Sequence, residues 1–430
     1  MAPTWRFAAL VALAAVPVML VPGWHAAGLV IAGVLLISAL DWLLTPNPAA
    51  IAAQRTPGRQ VRLGEETTST LTLVNEGGRT QRLLVRDAWV PSAGAEDVRF
   101  RTRLRAGERE ERVLRLVPRR RGVLPADRLT LRSSSWLGIL NRQRSFAVPA
   151  AIRVMPPFLS RRHLPSKLAK LRELDGRTAT MIRGMGTEFD SLREYVRGDD
   201  VRSIDWRATA RARQLTVRTW RPERDRRVVI VIDSSRLAAR RSGAGTVFDA
   251  ALEAGMLLSA LAAGGGDRVD LLVADARVRT SAGPITAHDP LSKVSTVLTE
   301  VEPELIDADW NAITSAVMRI SAQHAFVVFI TALDPATIAE DMLPALPALR
   351  ARHTIAIASV ADPELADMSQ DVFSPAQAYR AAAAERELLE TRSLIHALSE
   401  MGIRSVHEEP DELAPRLADL YIALKATGRL

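Results

Sequence analysis

Between Phe7 and Gln54 the chain carries no Lys or Arg and a single acid, Asp41. No other feature restricts the fold as much, because so long an apolar stretch must be covered by a bilayer or by protein. It divides at Pro22-Gly23-Trp24-His25 into two runs, Phe7–Val21 and Ala26–Leu44. A helix rises about 1.5 Å per residue, so roughly 20 residues cross a hydrocarbon core of about 30 Å. The second run meets that length, and the first does so with Trp5 and Pro22 in the interface. Trp24 and Trp42 stand where interfacial belt residues belong. The expectation is a transmembrane helical hairpin over residues 1–46, two spans joined by a very short turn. Arg6 precedes it, and Arg55, Arg59 and Arg62 follow. The positive-inside rule then places the remaining chain in the cytoplasm, as part of a multi-pass protein of the cell membrane. The competing reading is a cleaved signal peptide followed by one span. Only Arg6 would supply its charged start, and Pro22-Gly23-Trp24 is a poor small-residue cleavage site.

After Asn47-Pro48 the pattern alternates. Thr68–Val74 reads as a strand and Asn75-Glu76-Gly77-Gly78 as a turn. Arg82–Val90, Val98–Leu104, Arg109–Val117, Arg128–Leu131 and Ser145–Val154 read as further strands. Short strands with turn signals between them predict an antiparallel β-sandwich over residues 47–157. Arg119-Arg120-Arg121-Gly122 is a basic turn, either a contact for phosphate or lipid head groups or a solvated hairpin corner. Trp136-Leu137-Gly138-Ile139 is apolar between polar neighbours and is expected to plug the sandwich end or meet the next domain.

Residues 158–227 read as a linker helix, Leu164–Leu174 with Leu168, Leu171 and Leu174 on one face, followed by a charged segment and the arginine-rich run Arg218–Arg227. At Arg227 the period changes. Val228–Ile232 is a continuous apolar run ending in Asp233, the pattern of a buried parallel strand. Strands at Val269–Val273, Ala325–Ile330, Ile355–Val360 and Ile403–His407, with an edge strand near Val278, alternate with helices at Thr246–Ala262, Pro290–Leu298, Trp310–Ile320, Thr337–Ala351, Ala376–Met401 and Glu412–Ala426. That alternation predicts an α/β doubly wound parallel sheet over residues 228–430. The fold class is therefore multidomain: hairpin, sandwich, α/β sheet.

The stretch Gly184–Arg211 mixes both signs of charge with aromatics. Asp190, Glu194, Asp199, Asp200 and Asp205 alternate with Arg193, Arg197, Arg202, Arg207 and Arg211, and Phe189, Tyr195 and Trp206 sit among them. The mixture predicts an ion-pair network pinned by rings, an internal brace and not a reaction centre, because Arg forks hold carboxylates. The plain alternative is a solvated connector. The spacing of Gly184, Gly186, Glu188, Phe189, Arg193, Tyr195, Gly198, Asp199, Asp200, Arg202, Ile204, Asp205, Trp206, Ala210 and Arg211 resembles the signature of the bacterial family called domain of unknown function fifty-eight. Looser similarity covers most of the chain. The resemblance implies the domain order above and operation beside a MoxR-type AAA+ ATPase.

In a doubly wound sheet, ligands bind beyond the carboxyl ends of the strands. Asp233-Ser234-Ser235 occupies that place and resembles the start of the metal-ion-dependent adhesion site of von Willebrand factor A domains, D-x-S-x-S. The chain departs from that pattern: Leu237 holds the second Ser position, Leu305–Asp309 offers no Thr, and Ala332 stands where a second Asp is expected. Asp233 and Ser235 alone leave a divalent ion mostly to water. Asp307, Asp309 or Asp334 are the available substitutes, so a degenerate site of Asp233, Ser235 and Asp334 is the only metal candidate, with magnesium as its ion. The favoured expectation is no metal and no cofactor, with Asp233 accepting loop N–H groups or pairing with a signature Arg.

The chain has no phosphate loop, no H-E-x-x-H and no nucleophile elbow. It has no Cys, which removes disulfide and thiolate chemistry. The net charge of +8 fits anionic lipid, acidic protein or nucleic acid alike. No nucleic-acid module accompanies the basic residues, so nucleic acid is not an expected partner. The sequence therefore reads as a membrane-anchored, non-enzymatic adaptor, with the loops around Asp233, Asp307 and Asp334 as its docking face. A metal-dependent ligand-binding domain with a rearranged site is the alternative. A hydrolase using the signature carboxylates is a third reading, opposed by the arginines around them, which make poor proton donors of those acids.

Overall fold

A computed structural model describes residues 2–20, 23–181, 188–196, 199–221, 226–243, 245–286, 290–370, 374–428 and 430. The chain forms two compact units, Met1–Pro157 and Phe158–Leu430.

The first unit begins with two apolar helices, α1 (Trp5–Leu20) and α2 (Trp24–Leu44), packed on each other. Leu13, Leu29 and Leu36 are all more than half exposed along them. The strands that follow are β1 (Ile51–Pro57), β2 (Thr67–Asn75), β3 (Gln81–Trp89), β4 (Arg99–Leu104), β5 (Arg109–Leu116), β6 (Gly122–Ser134), β7 (Leu140–Ala147) and β8 (Ala151–Met155). One antiparallel sheet has the order β1-β2-β5. The other runs β7-β6-β3-β4, and the first residues of the long β6 pair with β8 instead. Alternate residues of both sheets meet in a core of Leu71 and Leu73 from β2, Val85 from β3, and Leu129 and Leu131 from β6, and a second cluster joins Leu114 and Leu116 of β5 to Ile152 and Val154 of β8. This is the period-two burial expected of strands with one dry face.

Two expectations for this unit are corrected. Arg55 was read as a flanking charge beside the membrane, but its guanidinium is buried inside the sandwich. Its Nε donates to Asp87 Oδ1 at 2.8 Å, and its Nη1 donates to Asp127 O at 2.8 Å. Trp136 plugs nothing: it is 81% exposed. The loop that carries it is held by the apolar helices, because the buried Asp41 carboxylate accepts from Ile139 N at 2.9 Å and Leu140 N at 2.8 Å.

The second unit opens with α3 (Leu164–Met181), longer than the predicted Leu164–Leu174. Leu171 is buried in the main core of this unit, with Leu168 and Leu174 against it. The glycine run after the next long helix explains how α3 gets so close. A Cβ at Gly265 would lie 2.5 Å from Leu171 Cδ2, and one at Gly264 would lie 2.8 Å from Leu168 Cδ2. A two-stranded ribbon of β9 (Glu188–Glu194) and β10 (Thr216–Arg221) encloses the short α4 (Trp206–Ala212).

Then come β11 (Arg227–Asp233), α5 (Val247–Gly264), β12 (Arg268–Ala274), β13 (Val278–Ile285), α6 (Pro290–Thr299), α7 (Trp310–Ile320), β14 (Phe326–Ile330), α8 (Leu343–Arg350), β15 (Thr354–Val360), α9 (Pro363–Gln370), α10 (Pro375–Glu400), β16 (Arg404–Glu408) and α11 (Pro410–Ala426). They build a six-stranded sheet of order β13-β12-β11-β14-β15-β16, parallel except for the edge strand β13. Val228, Ile230 and Ile232 face one core, with α5 and α11, while Val229 and Val231 face the other, with α7 and α8. The helix predicted over Thr337–Ala351 is interrupted by a π turn at Ile338–Met342 before α8 starts. Pro344 and Pro347 lack the N–H groups that one continuous helix needs.

Among the described residues two helices are long and apolar enough to cross a membrane: the segment beginning at Trp24, and α5. They differ in surroundings. α5 is enclosed as a core helix, whereas the segment at Trp24 is mostly uncovered.

Candidate functional site

The sheet order reverses at β11, which has β12 on one side and β14 on the other. Side chains at the carboxyl ends of these three neighbours meet there, where open α/β sheets form a crevice. Asp233 closes β11, Asp275 follows β12 and Thr331 follows β14. Asp233 is only 3% exposed. Its Oδ2 accepts from Thr331 Oγ1 at 2.6 Å and its Oδ1 from Ser235 N at 2.8 Å. Burial pushes the Asp233 carboxyl above the ordinary range, against the bonds from Thr331 and Ser235, and the neighbouring Asp275 charge pushes the same way as burial.

Ser234 turns to the other side and donates through Oγ to Asp275 Oδ2 at 3.0 Å. Asp275 is fully buried, also accepts from Arg279 Nη1 at 3.3 Å, and Arg279 pairs in turn with Glu304. The three strand ends are thus stitched by the Thr331 and Ser234 hydroxyls, and Arg279 ties Asp275 to Glu304. The remaining predicted acids lie elsewhere. Asp334 caps the turn after β14, accepting from Thr337 N at 2.9 Å and Thr337 Oγ1 at 2.7 Å. Asp309 caps α7 through Ala312 N at 2.9 Å. Asp307 is exposed and pairs with Arg236.

The alternative metal candidate, Asp233 with Ser235 and Asp334, has both of its carboxylates engaged by protein donors. Asp334 is committed to its own helix, and both oxygens of Asp233 face donors. A hard divalent ion wants about six oxygens with lone pairs free. Among the described residues no group of three or more His, Asp or Glu is placed to hold one. On these loops Asp233 is buried, whereas the Arg236–Asp307 pair is exposed.

The charged ribbon is the second candidate. Gly184, Gly186 and Gly198 lie outside the described residues. The backbones of Glu188 and Phe189 pair with Arg221 and Trp220. Arg193 grips Asp199 with both prongs, Nη1–Oδ2 2.8 Å and Nη2–Oδ1 2.6 Å. Asp205 caps α4 through Arg207 N and Ala208 N, both at 3.0 Å, and accepts from Arg218 Nε at 2.7 Å. Asp200 accepts from Arg202 N at 2.9 Å. Tyr195 N donates to Leu215 O at 2.8 Å.

The Arg193 fork, helped by the Val196 N–H, holds the Asp199 carboxyl below the usual range. The Ala208 N–H and Arg218 do the same for Asp205. Low carboxyl pKa values make these poor proton donors. Of the three rings, Trp206 does not pin the network as predicted, and the side chain of Phe189 lies outside the described residues. Trp206 is 68% exposed and α4 buries none of its residues, because a helix of this length has no apolar face to offer.

Asp275 and the role of Thr331 were missed in the sequence. The available signal was that Asp275 follows its apolar strand just as Asp233 ends its own.

Residues 191–374 match a family of unknown function. Its description reads "Protein of unknown function DUF58", and the matched span contains Arg193, Asp199, Asp205, Asp233, Asp275, Thr331 and Asp334, but neither the apolar helices nor the sandwich. Uncharacterized proteins of Mycobacterium bovis and Mycobacterium tuberculosis are each 29% identical to this chain over 212 residues. The match takes in 47% of this chain and 65% of each relative's own length. Among solved structures, the ASH / PapD-like domain of human CEP192 is 10% identical, with 26% of this chain and 89% of that domain covered, at a TM-score of 0.20. The FixG-related protein from Vibrio parahaemolyticus is 12% identical, with 24% and 96% covered, at a TM-score of 0.16. Scores this low carry no argument about fold or function.

Proposed function

We propose that this chain is a membrane-anchored, non-enzymatic adaptor. On this reading α1 and α2 cross the cell membrane as a hairpin, with the sandwich and the α/β unit in the cytoplasm. The α/β unit is a von Willebrand factor A-like domain whose adhesion site has degenerated into a structural knot. It works beside a MoxR-type AAA+ ATPase in assembling or activating envelope complexes.

The observation that carries the non-enzymatic part is the state of Asp233. The carboxylate at the crevice of the sheet is buried and engaged by Thr331 and Ser235 N. A group so satisfied supports scaffold architecture better than proton transfer or metal binding. The carboxylates of the ribbon, with lowered pKa values, point the same way. Anchoring is supported by the exposed leucines of α1 and α2, which water would cover at a cost of about 25 cal/mol per Å². The ATPase partner comes from the family resemblance alone. Affinity capture of the full chain from membranes, with and without ATP, tests the reading. Recovery of the neighbouring AAA+ ATPase is expected; its absence in the presence of nucleotide counts against the adaptor role.

A further inference from the structure

We propose that the loop Ser135–Ile139 of the sandwich is a third membrane contact, seated in the anionic head-group layer beside the ends of α1 and α2. The proposal rests on the anchor reading above and adds a lipid-facing surface from a part of the chain remote from the hairpin in sequence.

The loop is fastened to both helices at one level. From the start of α1, Thr4 Oγ1 donates to Gly138 O at 2.7 Å and Arg6 Nη1 to Leu137 O at 2.7 Å. Backbone pairing adds Pro3 opposite Leu140. From the last turn of α2, Asp41 accepts from Ser135 Oγ and from the Ile139 and Leu140 N–H groups. The loop therefore lies where α1 begins and α2 ends, which in a hairpin anchor is the boundary of the bilayer.

The side chains at that level suit a head-group layer. Ser135 and Ile139 turn inward, while Trp136 points away from the protein. Trp5, also exposed, opens α1, and Trp42 lies in the last turn of α2. Arg6 lies 6.0 Å from the Trp5 ring centroid, and Arg142 lies over Trp42 at 4.2 Å. An indole joins an apolar body to one polar N–H, and a guanidinium on an apolar stem reaches for phosphate, so both belong where hydrocarbon meets water. From Ser135 to Ala147 there are two arginines, Arg142 and Arg144, and no Asp or Glu. That balance favours anionic head groups over an acidic protein, since the loop is fastened to the two helices whose leucines are exposed.

The absence of cysteine makes the test direct, because Trp136→Cys introduces a unique thiol. The full chain is reconstituted in phosphatidylcholine–phosphatidylglycerol vesicles and labelled there with a polarity-sensitive fluorophore. Leu36→Cys on α2 reports insertion of the anchor, and Leu305→Cys in the second unit reports water. The label at Trp136→Cys is expected to be quenched by nitroxide lipid labelled near the head group, and severalfold less by aqueous iodide than the label at Leu305→Cys. Equal iodide quenching at the Trp136→Cys and Leu305→Cys sites, with the Leu36→Cys site still quenched by lipid, overturns the loop contact and leaves the anchor standing. Iodide access at Leu36→Cys as well overturns both.

Discussion

Thr331→Val is the most informative single change. It keeps the shape of the side chain and removes one donor, the hydroxyl 2.6 Å from Asp233 Oδ2. The carboxylate is then left with Ser235 N alone, inside a protein. A hydrogen bond to a charged group contributes about 1.5–3 kcal/mol, and for a domain of this size each kcal/mol moves Tm by about 2–4 °C, so the expected fall is roughly 3–12 °C. Urea and thermal unfolding of residues 158–430, the compact second unit, measure it. Asp233→Asn is the companion. It removes the buried charge and keeps an acceptor for Ser235 N, so at neutral pH it should change stability by no more than about 1 kcal/mol. Its pH dependence has a definite sign. The Asp233 pKa is raised in the fold, so the group's contribution is fully present below the unfolded value near 3.9 and lost as pH rises through the folded value. Asp233→Asn should therefore gain on the wild type as pH rises from about 4. If instead Thr331→Val is neutral, Asp233→Asn costs several kcal/mol, and magnesium raises Tm in the wild type only, the carboxylate is a ligand and the reasoning fails.

Three other outcomes are expected. Lys425 Nζ and Tyr421 Oη both bond to buried Asp267, at 2.8 and 2.5 Å, so Asp267→Ala strands a buried ammonium and should cost about 3–5 kcal/mol in urea unfolding. His353 is buried with no partner at either ring nitrogen among the described residues, and burial holds its pKa below the usual range. Its stabilising contribution is present above the unfolded value of about 6.5 and is lost as pH falls through the folded value, so His353→Leu should reduce acid sensitivity as pH falls below about 6.5. Asp41→Ala leaves three donors of the 135–140 loop unpaired and should cost about 1–3 kcal/mol in the thermal unfolding of the detergent-solubilised full chain.

Much of the α/β unit was legible because buried parallel strands write themselves as short apolar runs: Val228–Ile232, Ala325–Ile330 and Ile355–Val360 all became strands. The helix Pro363–Gln370 was not, since Pro-Glu-Leu-Ala-Asp-Met-Ser-Gln has no apolar stripe and buries no residue. Asp233 could be placed from its position at the end of an apolar run. Its partner across the crevice could not, because Thr331 is 98 residues away and sequence spacing says nothing about which strands become neighbours. Arg55 shows the same limit. A charge after an apolar segment looks identical whether it faces head groups or pairs with an aspartate 32 residues on, and here it does the second. The Arg193–Asp199 fork, only six residues apart, was within reach of local pattern. The exposure of Trp206 was not, because aromatic content alone cannot tell a ring in a core from one on a surface.

The adaptor account is tested most directly by binding of the full chain, held in lipid nanodiscs, to a MoxR-type ATPase loaded with a non-hydrolysable ATP analogue. The account predicts saturable binding with Kd near 1 µM or tighter, about −8 kcal/mol, unchanged by chelator and by Asp233→Asn. No saturable binding with nucleotide present, or binding that chelator or Asp233→Asn abolishes, would contradict it.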